Sequence, residues 1–225
     1  PVTAHADSFL KIEVEEDIGP KTKGYYCSVI AILMLFLQLS KEDSGKWISR
    51  MLKTIDLIPD IAKQTKQWYE SEKDELKRFK NIIVIGYDKC IPAATEGALK
   101  ILETVQCCVR YYELEEFMHG IYHGIDKSTL ILALGNQSRH LDRMIRLLGY
   151  LKEHKNATTY LISQNKVTKH DFSYPFIEDS LFVSFEYLTV LQVLGELMCH
   201  DRGIDLYDTV DESFHEYMES YVYEK

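Results

Sequence analysis

Hydrophobic and polar positions change period several times along the chain, and each change predicts an element. In DSFLKIEVEED, residues 7–17, Leu10, Ile12 and Val14 alternate with charged neighbours, the period-2 pattern of a half-buried strand at a sheet edge. IGPKTKG follows as a turn, and YYCSVIAILMLFLQLS is then apolar on every side, which predicts a helix buried between a sheet and something else. From Gly45, residues Trp47, Ile48, Met51, Leu52 and Ile55 repeat at helical spacing. Pro59 is predicted to start a second helix through DIAKQTKQWYESEKDEL, whose tail is charged.

After the polar stretch ELKRFKN, a candidate domain boundary, NIIVIG reads as a short β-branched central strand. Strand and helix signals then alternate. A helix from Pro92, the strand CCVRYYE, a short helix LEEFMHG, the strand STLILALG, the helix QSRHLDRMIRLLGYLKEH and the strand ATTYLIS come in turn. A last apolar helix, SLFVSFEYLTVLQVLGELMCHDRG, precedes a polar tail. Such alternation predicts an α/β fold with a parallel sheet covered on both faces and its sites at the carboxyl ends of the strands.

Bulk composition narrows the function classes. The 225 residues are 46% hydrophobic, enough for a sizeable core, and carry a formal charge of −9. That field repels phosphate backbones and anionic lipid, so neither nucleic acid nor membrane is an expected partner. The longest apolar run, CSVIAILMLFLQL, is shorter than the roughly 20 residues a bilayer crossing needs. Five cysteines without a C-x-x-C pair fit neither a disulfide framework nor a zinc site. With no basic and apolar leader pattern at the start, a cytoplasmic location is expected.

G-x-G-x-x-G, P-loop and G-x-S-x-G signatures are all missing, which sets aside dinucleotide binding, nucleotide hydrolysis and serine esterase chemistry. His119 and His123 stand four apart, but Gly120 and Gly124 argue against a continuous helix and no H-E-x-x-H occurs, so no metal is expected. In ATEGALKILETV, by contrast, Glu96, Lys100 and Glu103 fall at i, i+4 and i+7 and share one side of a helix that follows a central strand. On spacing alone they read as a solvated Glu–Lys pairing. Half-buried beside a sheet, the same carboxylates are suited to proton transfer.

These residues also carry a resemblance. ATEGALKILET followed by EEFMHG resembles the LEGALKLKE and ELKHG pair in the isomerase half of glucosamine-fructose-6-phosphate aminotransferases. It is more similar still to the fructosamine 6-phosphate deglycases built on the same sugar isomerase (SIS) domain, and the Glu103 to His119 interval keeps the family spacing. EEDIGPKTKGYYCSVIAILML resembles the loop and long helix that end a first SIS domain, and HDRGIDLYD resembles the family's C-terminal RG-x-D segment. The resemblance implies flavodoxin-like, three-layer αβα domains: residues 1–77 as the end of a first SIS domain plus connecting helices, and residues 78–225 as a second. The first domain's Ser/Thr-rich phosphate loops are then expected to lie before this chain's start.

Carried over position by position, the resemblance makes Glu103 the acid/base that moves a proton between C1 and C2 of an open-chain phosphosugar. His119 would assist ring opening, reaching into a partner subunit's site. Glu96 and Lys100 would line the pocket, and Pro20, Lys21 and Thr22 would touch substrate from the first domain. Neither a metal nor a cofactor is implied, and a homodimer with a shared active site is. The tail departs from the family pattern, leaving Lys225 as a candidate for its C-terminal lysine. Without a glutamine-hydrolysing domain, the expected activity is deglycation of a 6-phosphofructosamine. Alternatives are an aldose/ketose isomerase, a deaminase of an amino sugar phosphate, or a phosphosugar sensor without chemistry.

Overall fold

β-Branched and leucine-rich runs with no polar alternation form strands that are covered on both faces, and three such runs build the centre of this molecule. A computed structural model describes residues 5–16, 19–41, 43–208 and 211–219. Strands β1 (Asn81–Gly86), β2 (Cys108–Glu113), β3 (Thr129–Gly135), β4 (Thr158–Ser163) and the two-residue β5 (Phe172–Ser173) form one parallel sheet in the order β2-β1-β3-β4-β5. β3 is buried along its whole length. The order places β1 beside β3 at the point where the chain reverses its direction of travel across the sheet, with Ile83 opposite Ile131 and Ile85 opposite Ala133. β5 was not legible from pattern, because two residues carry no period.

Helices cover both faces and make three layers. On one side α2 (Ser44–Leu76), α3 (Ile91–Val105) and α6 (Val183–Asp201) enclose Ile82, Val84, Leu130, Leu132 and Ile162. On the other, α4 (Leu114–Met118) and α5 (Leu141–Lys155) enclose Ile83, Ile85, Ile131, Ala133 and Leu161. The period-2 alternation of each strand thus feeds two separate cores, each fully buried Leu or Ile contributing about 1.5–3 kcal/mol. α3 and α6 cross closely. A Cβ built on Gly97 would lie 2.1 Å from Leu191 Cδ1, and one on Gly195 2.9 Å from Thr104 Oγ1.

Three expectations are corrected. Pro59 does not begin a helix; it lies inside the single 33-residue α2. Its missing N–H weakens that turn, but Thr54, Ile61, Thr65, Trp68 and Tyr69 are buried on either side of it and hold the helix on the core. Trp68 Nε1 donates to the His170 carbonyl at 2.7 Å and Tyr69 donates to Asp201 at 2.9 Å, fixing the second half of α2. Residues 7–16 form no strand. Phe9 and Leu10 are about two-thirds exposed, and no described strand lies alongside to complete a ladder. α1 (Lys23–Ser40) is helical as expected but has no buried residue, with Ile32, Leu35, Phe36 and Leu39 exposed. It is also the one helix among the described residues whose length and composition would suit a bilayer crossing. Its first turn nevertheless docks on protein: Tyr26 hydroxyl lies 3.0 Å from Thr189 Oγ1, and its ring packs edge-on against Phe185.

α1 starts on a cap supplied from a distance. Thr22, at the N-cap position, makes no capping bond of its own. Instead Glu16 Oε1 accepts from the Thr22 and Lys23 amides at 2.6 and 2.9 Å, and Oε2 accepts from the Gly24 amide at 3.0 Å. Burial opposes ionisation of Glu16, but these amides and the Thr22 hydroxyl outweigh it and lower the carboxyl to about 2. The carboxylate therefore stabilises the fold above the ordinary value of 4.5, and its contribution is lost as pH falls through about 2.

Two tests follow from the packing and the cap. Gly97→Ala is expected to destabilise by about 1–3 kcal/mol in urea unfolding, because overpacking against Leu191 exceeds the helix-propensity gain. Gly149→Ala on α5, where an added Cβ meets nothing within 4 Å, is expected instead to stabilise by about 0.5–1 kcal/mol. Glu16→Gln should speed amide exchange at Thr22, Lys23 and Gly24 by about fivefold, a cap being worth roughly 1 kcal/mol. The difference from wild type should close as pH falls from 4.5 towards 2; a gap that stays constant over that range would contradict the ionised cap.

Candidate functional site

α3 is set by β1 before it and by Pro92 in its first turn, and its sheet-facing side is the small, apolar Ala93, Ala94, Ala98 and Ile101. With Gly97 turned against α6, the residues at 96, 100 and 103 fall on the flank between α6 and the start of α1. There Lys100 is 5% exposed, a degree of burial rare for lysine without partners. Its Nζ lies 2.6 Å from Glu103 Oε2 and 3.5 Å from Glu96 Oε1. One ammonium thus joins two carboxylates, of which Glu96 is the more enclosed. Burial raises the Glu96 carboxyl above its ordinary value, with Lys100 pulling it down and Glu103 adding to the rise.

Glu96 and Lys100 line a cavity of about 460 Å³ whose other wall is Ile12, Val14, Glu16, Lys21, Gly24, Tyr25 and Ser28. The loop before α1 and the carboxylate–lysine stripe of α3 therefore face one space. Lys21 is on its rim, its Nζ donating to the Glu16 carbonyl. Thr22 opens instead on an adjoining groove of about 1120 Å³ between α1, α2 and α6, and Pro20 is buried. Glu103 joins the cavity's chemistry through Lys100 and is not among its lining residues.

His119 is placed apart. It caps the C-terminus of α4, is exposed, and belongs to the opposite layer of the sheet from α3. His123 lies on a separate 3-10 turn beyond Gly120, whose φ of 121° ends the helix. Among the described residues no three His, Cys, Asp or Glu side chains are grouped to hold a metal. Lys225 lies outside the described residues.

Two further residues of the cavity wall, Glu16 and Tyr25, carry no signal in the local sequence pattern strong enough to single them out. Glu16 occupies the amides at the start of α1 that an anion would otherwise use, a contact across six to eight residues that no local motif records. Tyr25 brings a phenol to the cavity, its ionisation disfavoured by burial and by Glu96. Its position beside the 20–22 loop was the available signal.

Comparison with known proteins agrees with this architecture. Residues 75–169 match the SIS domain family model. The glutamine–fructose-6-phosphate aminotransferase (isomerizing) of Wigglesworthia glossinidia brevipalpis is 25% identical over 196 residues, covering 82% of this chain and 32% of that protein. Its counterpart in Buchnera aphidicola is 30% identical over 156 residues, covering 67% and 25%. The chain thus spans a third or less of the length of these curated relatives. Among solved structures, a candidate phosphosugar isomerase from Clostridium difficile superposes with a TM-score of 0.83 at 28% identity, over 91% of this chain and 60% of that one. Glucosamine-6-phosphate deaminase from Thermotoga maritima shares the fold, with a TM-score of 0.68 at 22% identity, over 88% and 57%. The match to the SIS domain family thus falls on residues 75–169, which hold strands β1 to β4 and α3.

Proposed function

We propose that this chain is part of a phosphosugar-processing enzyme that moves a proton between C1 and C2 of an open-chain 6-phosphosugar, and that its substrate is a 6-phosphofructosamine. The observation that carries the reading is Lys100, buried between Glu96 and Glu103 at the edge of a cavity faced by the loop before α1. Burying an ammonium with two carboxylates is a poor way to stabilise a fold, since apolar replacements of such clusters are often neutral or better. It is a good way to orient a carboxylate for proton transfer.

In this scheme Glu103, ion-paired with Lys100, takes a proton from C1 of the amine-substituted ketose, giving an enolamine across C1 and C2. Return of the proton to C2 leaves an imine at C1, and water adds there to release the free amine and glucose 6-phosphate. No electrons are gained or lost. Lys100 and Lys21 supply positive charge to the developing oxyanion and the phosphate, and Glu96, Pro20 and Thr22 shape the pocket. His119 assists ring opening from a second copy of the chain, which its exposed place on the opposite layer would require. The exposed apolar face of α1 is a suitable surface for such a homodimer. Residues 1–77 act as the end of a first SIS domain and 78–225 as the second, in a cytoplasmic protein.

Incubation with fructoselysine 6-phosphate and glucosamine 6-phosphate, following sugar phosphates and free amine, tests the reading. Wild type is expected to release glucose 6-phosphate from the first. Glu103→Gln is expected to lose roughly 10²–10⁴-fold in rate while still binding phosphosugar. Release of fructose 6-phosphate from the amino sugar would move the assignment to a deaminase, the activity named for the Thermotoga maritima neighbour. Binding without turnover by wild type would make the chain a sensor.

A further inference from the structure

Tyr25 and Tyr26 stand side by side in the first turn of α1, and the fold uses them differently. Tyr26 docks the helix: its hydroxyl lies 3.0 Å from Thr189 Oγ1 and 3.3 Å from the Phe185 carbonyl oxygen. Tyr25 is half-buried and lines the cavity that Glu96 and Lys100 share with the loop before α1. Its ring is braced edge-on against Tyr26, with centroids 5.9 Å apart. Its hydroxyl makes no hydrogen bond among the described residues. The buried side-chain N and O atoms left without a partner are on Thr54, Asn136, Gln192 and Arg202, so the Tyr25 oxygen keeps an accessible surface.

Every other side-chain donor that lines this cavity is already engaged. Lys100 Nζ lies 2.6 Å from Glu103 Oε2 and 3.5 Å from Glu96 Oε1. Ser28 Oγ donates to the Gly24 carbonyl at 2.7 Å, and Lys21 Nζ donates to the Glu16 carbonyl. Burial and the nearby Glu96 both disfavour a phenolate, so Tyr25 holds its proton at neutral pH. The proposed reaction has a place for that proton. The C2 oxygen is a carbonyl in the 6-phosphofructosamine and a hydroxyl in glucose 6-phosphate, and Glu103 cannot supply its proton while taking one from C1.

We infer that the Tyr25 hydroxyl is the acid of this reaction, donating to the substrate's C2 oxygen as Glu103 deprotonates C1. The pair of electrons left by the C1 proton forms the C1–C2 double bond, the carbonyl π pair moves to the oxygen, and the phenol's proton follows it. The neutral enolamine then takes the proton held by Glu103 at C2, leaving a protonated imine at C1. The phenolate removes the nitrogen-bound proton and is a phenol again. Nitrogen on C1 and oxygen on C2 are neighbours across a cis double bond, so one phenol serves both. A neutral phenol in a partly enclosed site is suited to an enolate oxygen, which binds it more strongly as charge develops. The inference rests on the reaction proposed above and adds a residue to it.

Steady-state kinetics of Tyr25→Phe and Tyr26→Phe on fructoselysine 6-phosphate, with NMR of C1 hydrogen exchange in deuterated water, test it. Tyr25→Phe should lower kcat about 10²-fold or more and leave KM within about threefold, because the lost bond is made fully only in the transition state. Exchange at C1 should slow by a similar factor. Its thermal midpoint should not fall, since the hydroxyl has no partner in the fold. Tyr26→Phe should do the reverse, lowering the midpoint and keeping kcat within about twofold, because its hydroxyl bonds only to α6. A Tyr25→Phe protein that keeps the wild-type rate, loses affinity in place of rate, or is destabilised would overturn the inference and leave the reaction standing. Wild type with neither turnover nor C1 exchange would overturn both.

Discussion

The close crossing of α3 and α6 fixes where every charge of the candidate site can go. Gly97 lies against Leu191 with no room for a methyl group, so α3 cannot rotate without separating two helices that share the core below them. With that face committed to α6 and the alanines committed to the sheet, positions 96, 100 and 103 are left on the one flank that meets the start of α1. Lys100 is buried there as a consequence, and its two carboxylate neighbours accompany it because a lone ammonium at that depth would lose its charge. The glycine in EGALK is thus as much a part of the site as the charged residues around it.

The same flank shows how the fold divides its labour. One core, on the α2, α3 and α6 side, supports the ionic cluster and the docking of α1 through Tyr26. The other, under α4 and α5, carries the turn that ends in His119 and has no direct contact with the cluster's cavity. The carboxyl ends of β1 and β3 lie between these systems, and their crevice has its own polar wall. A sheet covered on both faces therefore presents three chemically different surfaces, with only modest overlap of residues.

Most of the α/β architecture was legible because its strands are buried on both faces and read as continuous apolar runs. NIIVIG, STLILALG and ATTYLIS coincide with β1, β3 and β4 to within a residue or two. Legibility failed where an element depends on something non-local. LKIEVE has a strand's alternation but no neighbouring strand among the described residues, and Pro59 marks a helix start only if tertiary packing does not carry the helix through it. β5, two residues long, is made by its ladder with β4 and by nothing in its own composition. In the site, the stripe of Glu96, Lys100 and Glu103 followed from 3.6-residue periodicity. The burial of Lys100 and the Glu16 cap did not, since each arises from segments far apart in sequence.

The claim on which the account rests is that the carboxylate held by Lys100 moves a carbon-bound proton. Fructoselysine 6-phosphate in deuterated water, followed by NMR at C1 and C2, tests it directly. The account predicts that the C1 methylene loses one hydrogen and that C2 of the released glucose 6-phosphate gains one, from solvent or from C1, and that Glu103→Gln stops both. A bound substrate whose C1 methylene stays intact, with no sugar phosphate released by the wild-type protein, would contradict it.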